Sequence, residues 1–163
     1  MRLKPFHPSQ ASAVSSWATN RGDVNRWCGY RGTRVPVETI IGWSRANGVQ
    51  AYGLHRGSEL IAYGELWIDT EQKEVEIARV IVSPIQRGRG RGRLLVKALA
   101  EIAKETYPDI FMRVHPDNTA ALRSYAAAGF RRVAADQEAK WNTIQPVHYA
   151  WLTLPKARVR RAG

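Results

Sequence analysis

The stretch that decides the fold reads Val80-Ile81-Val82-Ser83-Pro84-Ile85-Gln86-Arg87-Gly88-Arg89-Gly90-Arg91-Gly92-Arg93-Leu94-Leu95. An apolar strand passes here through a glycine-arginine turn into a helix with apolar residues at helical spacing. Glycines leave the backbone bare, so its N–H groups can approach an anion closely, and the N-terminus of the helix presents its positive end to the same point. The arginines add charge and hydrogen-bond donors. The pattern predicts a phosphate-binding loop at a strand–helix corner.

Three alternatives for this stretch are weaker. A P-loop needs Lys followed by Ser or Thr after its last glycine, whereas Arg93 and Leu94 follow Gly92 here. A Rossmann fingerprint reads G-x-G-x-x-G near the start of a βαβ unit, whereas this chain has G-x-G-x-G about halfway along. A disordered Arg-Gly repeat of the RNA-binding kind is disfavoured by its flanks, because an apolar run precedes it and an amphipathic helical pattern follows it.

Two motifs carry a family resemblance. The first, Arg87-Gly88-Arg89-Gly90-Arg91-Gly92, resembles the phosphate motif Gln/Arg-x-x-Gly-x-Gly/Ala of the GNAT superfamily of N-acetyltransferases. The second runs from Asn118 to Phe130 and resembles the family's Asn…Tyr-x-x-x-Gly-Phe helix and turn. The motifs follow in the family's order, and the resemblance covers about residues 50–135. Arg91 departs from the pattern, because the family usually has an apolar residue there, and this puts the local helix packing in doubt.

The resemblance implies an acetyl-CoA-dependent N-acetyltransferase that moves an acetyl group to a primary amine by direct transfer, with no metal and no acyl-enzyme. It assigns the coenzyme to the backbone groups of the strand before the loop, to the loop itself and to the start of the second motif. The implied coenzyme-binding residues are Val80, Val82, Arg87, Gly88, Arg89, Gly90, Arg91, Gly92, Arg93 and Asn118. Asn118 is also a candidate helix N-cap.

The resemblance also implies two catalytic side chains. Tyr125 matches the tyrosine that donates toward the coenzyme sulfur, and we favour a hydrogen bond to the thiolate because a phenol is less acidic than a thiol. Glu76 matches the place of the glutamate used as general base by histone-acetylating members, and its distance from Val80 suggests a relay through water. The alternatives are a core tyrosine and a salt-bridged strand carboxylate; Glu65 and His115 are further candidates for the base.

Composition is consistent with one domain over residues 1–163, since 44% of the residues are hydrophobic and no linker interrupts the chain. The single cysteine, Cys28, excludes an internal disulfide, and the absence of a signal-peptide pattern or a membrane-spanning run predicts a cytoplasmic protein. The net charge of +11 favours polyanionic partners such as coenzyme A or RNA. The basic end at residues 155–163 is a candidate RNA contact or a solvated tail.

The predicted elements alternate between strands and helices, which indicates a mixed α/β fold with a largely antiparallel central sheet flanked by helices. Predicted strands cover residues 2–6, 50–55, 59–68, 74–82, 110–114, 130–134 and 147–154. Predicted helices cover residues 8–19, 37–47, 92–107 and 116–128, with a turn-rich stretch at 20–36. The coenzyme motifs then occupy residues 74–107 and 110–135, which leaves residues 1–48 for the acceptor side.

The acceptor amine, a small molecule or a peptide, is not identified by the sequence. Aromatic residues of the N-terminal region are candidates either for a cage around a cationic amine or for the core; they are Trp17, Trp27, Tyr30 and Trp43. A loop at residues 136–145 is a candidate for closing the other side. The alternative functions are a basic RNA- or ribosome-binding module on the same fold, or an acetyltransferase that acts on aminoacyl-tRNA or a ribosomal protein. Either a monomer or a homodimer is compatible with the sequence.

Overall fold

A computed structural model describes residues 1–156, so the basic tail beyond Lys156 lies outside the described residues. The described strands are β1 (Arg2–Pro5), β2 (Val49–Arg56), β3 (Glu59–Asp69), β4 (Glu74–Val82), β5 (Asp109–Val114), β6 (Arg131–Arg132) and β7 (Ala150–Thr153). The α-helices are α1 (Ala11–Ser15), α2 (Arg21–Cys28), α3 (Val37–Ser44), α4 (Arg91–Thr106), α5 (Thr119–Ala127) and α6 (Ala135–Asn142). Short 3₁₀ turns at Pro8–Gln10 and Pro84–Gln86 precede α1 and α4.

The strands form one sheet in the order β1-β2-β3-β4-β5-β7-β6. Every neighbouring pair is antiparallel except β4 and β5, which are parallel. This confirms the mixed α/β fold with a largely antiparallel sheet. The parallel pairing is short, because only Glu74–Glu76 of β4 lie against β5, at 109–111. Beyond Glu76 the two strands separate, and the edge of β4 that faces β5 is left without a strand partner.

Helices cover both faces of the sheet. Successive residues of β3 point to opposite faces, so Ala62 belongs to the apolar cluster beneath α4 whereas Tyr63 belongs to the cluster beneath α1–α3. Helix α4 contributes Leu95 and Leu99, which have no exposed surface. It lies so close to β3 that a Cβ on Gly64 would fall 2.9 Å from a methyl carbon of Leu99. This packing fixes the end of β4 relative to the start of α4, which is where the predicted phosphate loop runs.

The N-terminal region differs from the predicted elements. The stretch predicted to be turn-rich contains helix α2, which begins after Asn20, whose side chain accepts the Asp23 N–H at 2.9 Å, and ends at Gly29 with a left-handed φ of 71°. Helix α2 shows no apolar period in the sequence, because Val24 is the one residue of the helix that is buried and most of the others are polar. The helix predicted at residues 8–19 is reduced to the 3₁₀ turn and the short α1.

The C-terminal region also needs a correction. The loop predicted at residues 136–145 is largely helix α6, and the final strands pair antiparallel as predicted but are shorter. Helix α5 begins at Thr119 instead of Pro116, because Asn118 caps it. Within residues 1–156, no helix is both long enough and apolar enough to span a bilayer.

Candidate functional site

The glycine-arginine loop leaves a row of backbone N–H groups free at the start of α4. Gly88 and Gly90 have left-handed φ values of 73° and 72°, and an added Cβ at either would meet no atom within 4 Å, so the space above the loop is open. Gly90 caps α4 without a side chain, and the first helical bond runs from the Leu94 N–H to its carbonyl. The N–H groups of residues 91–93 therefore have no partner within the helix. Such a helix N-terminus is suited to an anion.

A cavity of about 550 Å³ lies between this loop, β4 and α5. Gly92 lets the two helices approach, since a Cβ there would lie 3.1 Å from Ser124 Oγ. Buried within the site, the Arg91 Nε donor and the Gln86 Oε1 acceptor have no hydrogen-bond partner among residues 1–156. An unpaired guanidinium donor beside free backbone N–H groups is chemically suited to a phosphate group. Arg91, the residue that departs from the family pattern, thus lines the cavity.

The other arginines of the loop differ in their contacts. Arg87 donates from Nε to the Val82 carbonyl at 3.1 Å and from Nη2 to the Trp17 carbonyl at 3.0 Å, so it ties the loop to the end of β4 and to the N-terminal region. Arg93 is exposed and lines the cavity, whereas Arg89 is exposed and does not. Of the four arginines predicted to bind phosphate, Arg87, Arg91 and Arg93 line the cavity and Arg89 does not.

The open edge of β4 presents main-chain groups to the same cavity. The Ser83 N–H bonds the Ile61 carbonyl, so the facing pair Ala62 and Val82 does not exchange hydrogen bonds. The N–H and C=O of Val82 consequently point away from β3, and those of Val80 point the same way by alternation. A bulge at Arg79, with φ of 49°, turns the strand just before Val80. Apart from the Val82 carbonyl, these groups are available to a ligand.

Tyr125 and Asn118 lie where two cavities meet. Both line the 550 Å³ cavity and a second cavity of about 260 Å³, which we call the cleft. Burial raises the pKa of Tyr125 well above the ordinary range of a phenol, so its hydroxyl keeps its proton. That hydroxyl makes no hydrogen bond to another described residue. The Asn118 side chain accepts the Ala121 N–H at 3.2 Å and is thus the N-cap of α5.

Glu76 lies in the cleft, paired with a residue that sequence reasoning missed. Arg113 on β5 donates to both carboxylate oxygens, at 2.7 and 3.1 Å, because the short parallel pairing brings the two strands side by side. Burial raises the pKa of the Glu76 carboxyl above its usual range, and the Arg113 guanidinium opposes that rise. Glu76 is therefore both the salt-bridged strand carboxylate considered as an alternative and a partly desolvated group in the cleft.

A ladder of alternating tryptophan and arginine side chains contributes Trp67, Arg79 and Arg113 to the lining of the cleft. The Arg79 guanidinium carbon lies 3.9 Å from the Trp43 ring centre and 4.7 Å from that of Trp67. Arg113 continues the ladder at 5.7 Å from Trp67 and 5.5 Å from Trp151. These contacts join residues far apart in sequence, so no local pattern could have indicated them. Of the rings considered for a cage around a cationic amine, Trp43 lies against the Arg79 guanidinium, and Trp27 lines the cleft.

The remaining candidates have defined roles in this arrangement. Glu65 is fully buried and accepts bonds from Tyr63, Trp67 and Arg79, which holds Arg79 in place. His115 Nδ1 accepts the Asp117 N–H at 3.2 Å, which leaves no free lone pair on that nitrogen for a base. Burial raises the pKa of Cys28 to about 11, so the thiol is not a nucleophile at neutral pH.

Comparisons with known proteins agree with the fold. A profile described as the acetyltransferase (GNAT) family matches residues 16–130. The chain is 34% identical over 83 residues to the N-alpha-acetyltransferase RimI of Mycobacterium tuberculosis, which covers 50% of this chain and 51% of that protein. It is 46% identical over 69 residues to the mycothiol acetyltransferase of Gordonia bronchialis, covering 42% of this chain and 22% of that protein. The chain thus matches about half or less of the length of these relatives.

A solved structure extends the similarity over the whole chain. The structure of AAC(6')-Ib in complex with ribostamycin and coenzyme A superposes with a TM-score of 0.71, at 19% identity, covering 99% of this chain and 98% of that one. At this level of identity the likeness establishes the fold. The strand, loop and helix described above lie within the part of the chain that the profile matches.

Proposed function

The chain belongs to the acetyltransferase (GNAT) family, and from that premise we propose that it transfers an acetyl group from acetyl-CoA to a primary amine directly, in a ternary complex. The observation that carries the proposal is the junction of two cavities. One is lined by free N–H groups and by Arg91, whose buried Nε has no partner among the described residues, and these groups suit a pyrophosphate; the other opens beside Glu76. They meet at Val80 and Tyr125, so a thioester and an amine entering from opposite sides would come together there.

The coenzyme roles follow from the chemistry of each group. We assign the pyrophosphate to the N–H groups of residues 91–93 and to Arg91, with Arg87 holding the loop in place. The peptide-like pantetheine arm is suited to the open edge of β4, where Val80 and Val82 present main-chain groups. The Val80 N–H would polarise the thioester carbonyl, a role typically worth about 2.7–4 kcal/mol per donor. Acetyl-CoA is a co-substrate, and its thioester supplies the activated acyl group.

The catalytic roles concern two protons. Tyr125, whose hydroxyl is protonated and without a protein partner, would donate a hydrogen bond to the departing thiolate. Glu76 would receive the proton of the ammonium substrate through water, since its raised pKa brings it nearer to neutral pH and two lone pairs remain after Arg113 has bound. The protonated Cys28 leaves no evident acyl-enzyme route through that thiol.

Replacement of Tyr125 by Phe tests this proposal. We expect the Tyr125→Phe variant to lose about ten- to a hundredfold in kcat, as expected for one hydrogen bond made in the transition state, while its dissociation constant for acetyl-CoA stays the same. Tyr107→Phe, at the end of α4, is the matched control and should keep its kcat. A basic RNA- or ribosome-binding module, by contrast, would show no thiol release with any amine. Unchanged turnover in Tyr125→Phe would refute the role of the hydroxyl.

A further inference from the structure

We infer that the acceptor is the α-amine of an amino acid or peptide, an amine with a carbonyl or carboxylate beside it, and that polyamines and aminoglycosides are excluded. This inference rests on the proposed function and specifies its acceptor. It is carried by the cleft, in which the carboxylates and the rings of the ladder are already bound by the chain's own arginines while hydrogen-bond donors remain free.

The carboxylates in and beneath the cleft already have arginine partners. Glu76 is bound at both oxygens by Arg113, and the fully buried Glu65 beneath the cleft is bound by Arg79. The third arginine of the cleft, Arg26, has its own partner in Asp23. Among the described residues that line the cleft, Glu76 is the sole carboxylate. A polycationic acceptor would therefore desolvate its other ammonium groups without an anionic partner, which is unfavourable.

The aromatic rings of the ladder already contact arginine side chains. An ammonium group can bind over a tryptophan ring without any carboxylate. Here the rings of Trp43 and Trp67 flank the Arg79 guanidinium, and Arg113 lies near Trp67 and Trp151. A second cation in this ladder would meet both guanidinium groups at close range, and like charges repel strongly in a partly buried site. The rings of the ladder are thus occupied as well, whereas Trp27, which also lines the cleft, donates its Nε1 hydrogen to the Arg79 carbonyl and packs nearly perpendicular to Trp43.

Neutral side chains of the cleft offer hydrogen-bond donors, which favour oxygen atoms on the acceptor. Gln145 accepts the Arg113 Nη1 donor at 3.0 Å through Oε1, so its NH₂ group remains as a donor. His115 adds no free donor, because Nδ1 accepts the Asp117 N–H and Nε2 faces the Asn25 side-chain amide at 3.5 Å. The Tyr149 hydroxyl, also in the cleft, makes no hydrogen bond to another described residue. Such donors match the carbonyl or carboxylate beside an α-amine.

An acidic depression lies next to the cleft. Asp69, Glu71 and Glu74 line a separate cavity of about 520 Å³, and the residues it shares with the cleft, Trp67 and Glu76, lie between the two. A polyamine that used this depression would have to pass this boundary.

The test compares acceptors at saturating acetyl-CoA with the full chain, measuring thiol release. The panel contains a free dipeptide such as Ala-Ala, an N-blocked lysine peptide, spermidine and kanamycin. We expect kcat/KM for the dipeptide to exceed that for spermidine and for kanamycin by about tenfold or more, because only the dipeptide places an oxygen beside its amine without adding uncompensated charge. Binding of acetyl-CoA is measured separately by calorimetry.

Two variants locate the effect. Tyr149→Phe should raise the KM of the dipeptide by about three- to tenfold, the effect of one lost hydrogen bond, with kcat nearly unchanged. Tyr52→Phe removes a hydroxyl bonded to Gln50 outside the cleft and should leave both constants unchanged. Faster turnover of spermidine or kanamycin than of the dipeptide overturns the inference, as does acetyl-CoA binding without any turnover of the dipeptide. Failure to bind acetyl-CoA refutes the proposed function itself, and the inference with it.

Discussion

Replacing Arg79 by Met should destabilise the protein far more than replacing an exposed arginine. The variant keeps the length of the side chain but removes a guanidinium that lies between two tryptophan rings and bonds Glu65 at 3.0 Å. Glu65 has no exposed surface, so it would keep only its bonds from Tyr63 and Trp67. Breaking a buried pair by removing one partner costs about 3–5 kcal/mol, and this estimate includes the unpaired charge that remains.

The corresponding fall in melting temperature is about 10 °C, since each kcal/mol shifts Tm by about 2–4 °C in a chain of this size. Urea denaturation followed by tryptophan fluorescence measures the free energy of unfolding. Arg56→Met is the matched control: its pair with Glu59 is exposed at both ends and should contribute less than about 1 kcal/mol. The double variant Arg79→Met/Glu65→Gln should recover part of the loss, because it removes the unpaired charge. If Arg79→Met unfolds like the control, Arg79 and Glu65 do not form the buried pair described here.

Three further outcomes are expected. Gly90→Ala, at a φ of 72°, should lower the free energy of unfolding by about 1–2 kcal/mol and weaken acetyl-CoA binding by calorimetry, whereas Gly42→Ala within α3 should do neither. Glu76→Gln should remove the rise of kcat/KM with pH that a general base produces, whereas Glu74→Gln should retain it. Arg132 lowers the pKa of Glu138, so Glu138 stabilises the fold above its ordinary pKa and this contribution is lost as the pH falls; Glu138→Gln should therefore flatten the acid limb of stability against pH.

Much of the fold could be predicted because the apolar residues of its main strands and helices follow clear patterns along the sequence. Strand β4 and helix α4 match the predicted residues within one position at each end, since a continuous apolar run and a helical stripe are each visible locally. Helix α2 was missed because its first residues read as a turn and its exposed face is polar. Two signals for this helix were available in the sequence. Asn20 is a typical N-cap residue just before it, and Gly29 is a typical left-handed cap just after its last residue.

In the candidate site, too, the features set by local sequence could be predicted and those set by long-range contacts could not. The loop depends on local backbone geometry, which glycine spacing reveals, so the sequence predicted an open loop between β4 and α4. The pairing of Glu76 with Arg113 depends on the register of β4 against β5, and the ladder through Trp67 depends on the packing of several elements. Contacts of this kind follow from the folded sheet and have no sequence period. The acceptor side was for this reason the part that the sequence could not specify.

The central claim is that the amide groups at the start of α4 bind the pyrophosphate of acetyl-CoA. Isothermal titration of the full chain with acetyl-CoA and, in parallel, with acetyl-pantetheine tests it most directly, because the second ligand lacks the pyrophosphate. We expect saturable binding of acetyl-CoA and an affinity for acetyl-pantetheine lower by about a hundredfold or more, as expected for losing several charge-assisted hydrogen bonds. Equal affinities for the two ligands, or no binding of acetyl-CoA at millimolar concentration, would contradict the claim.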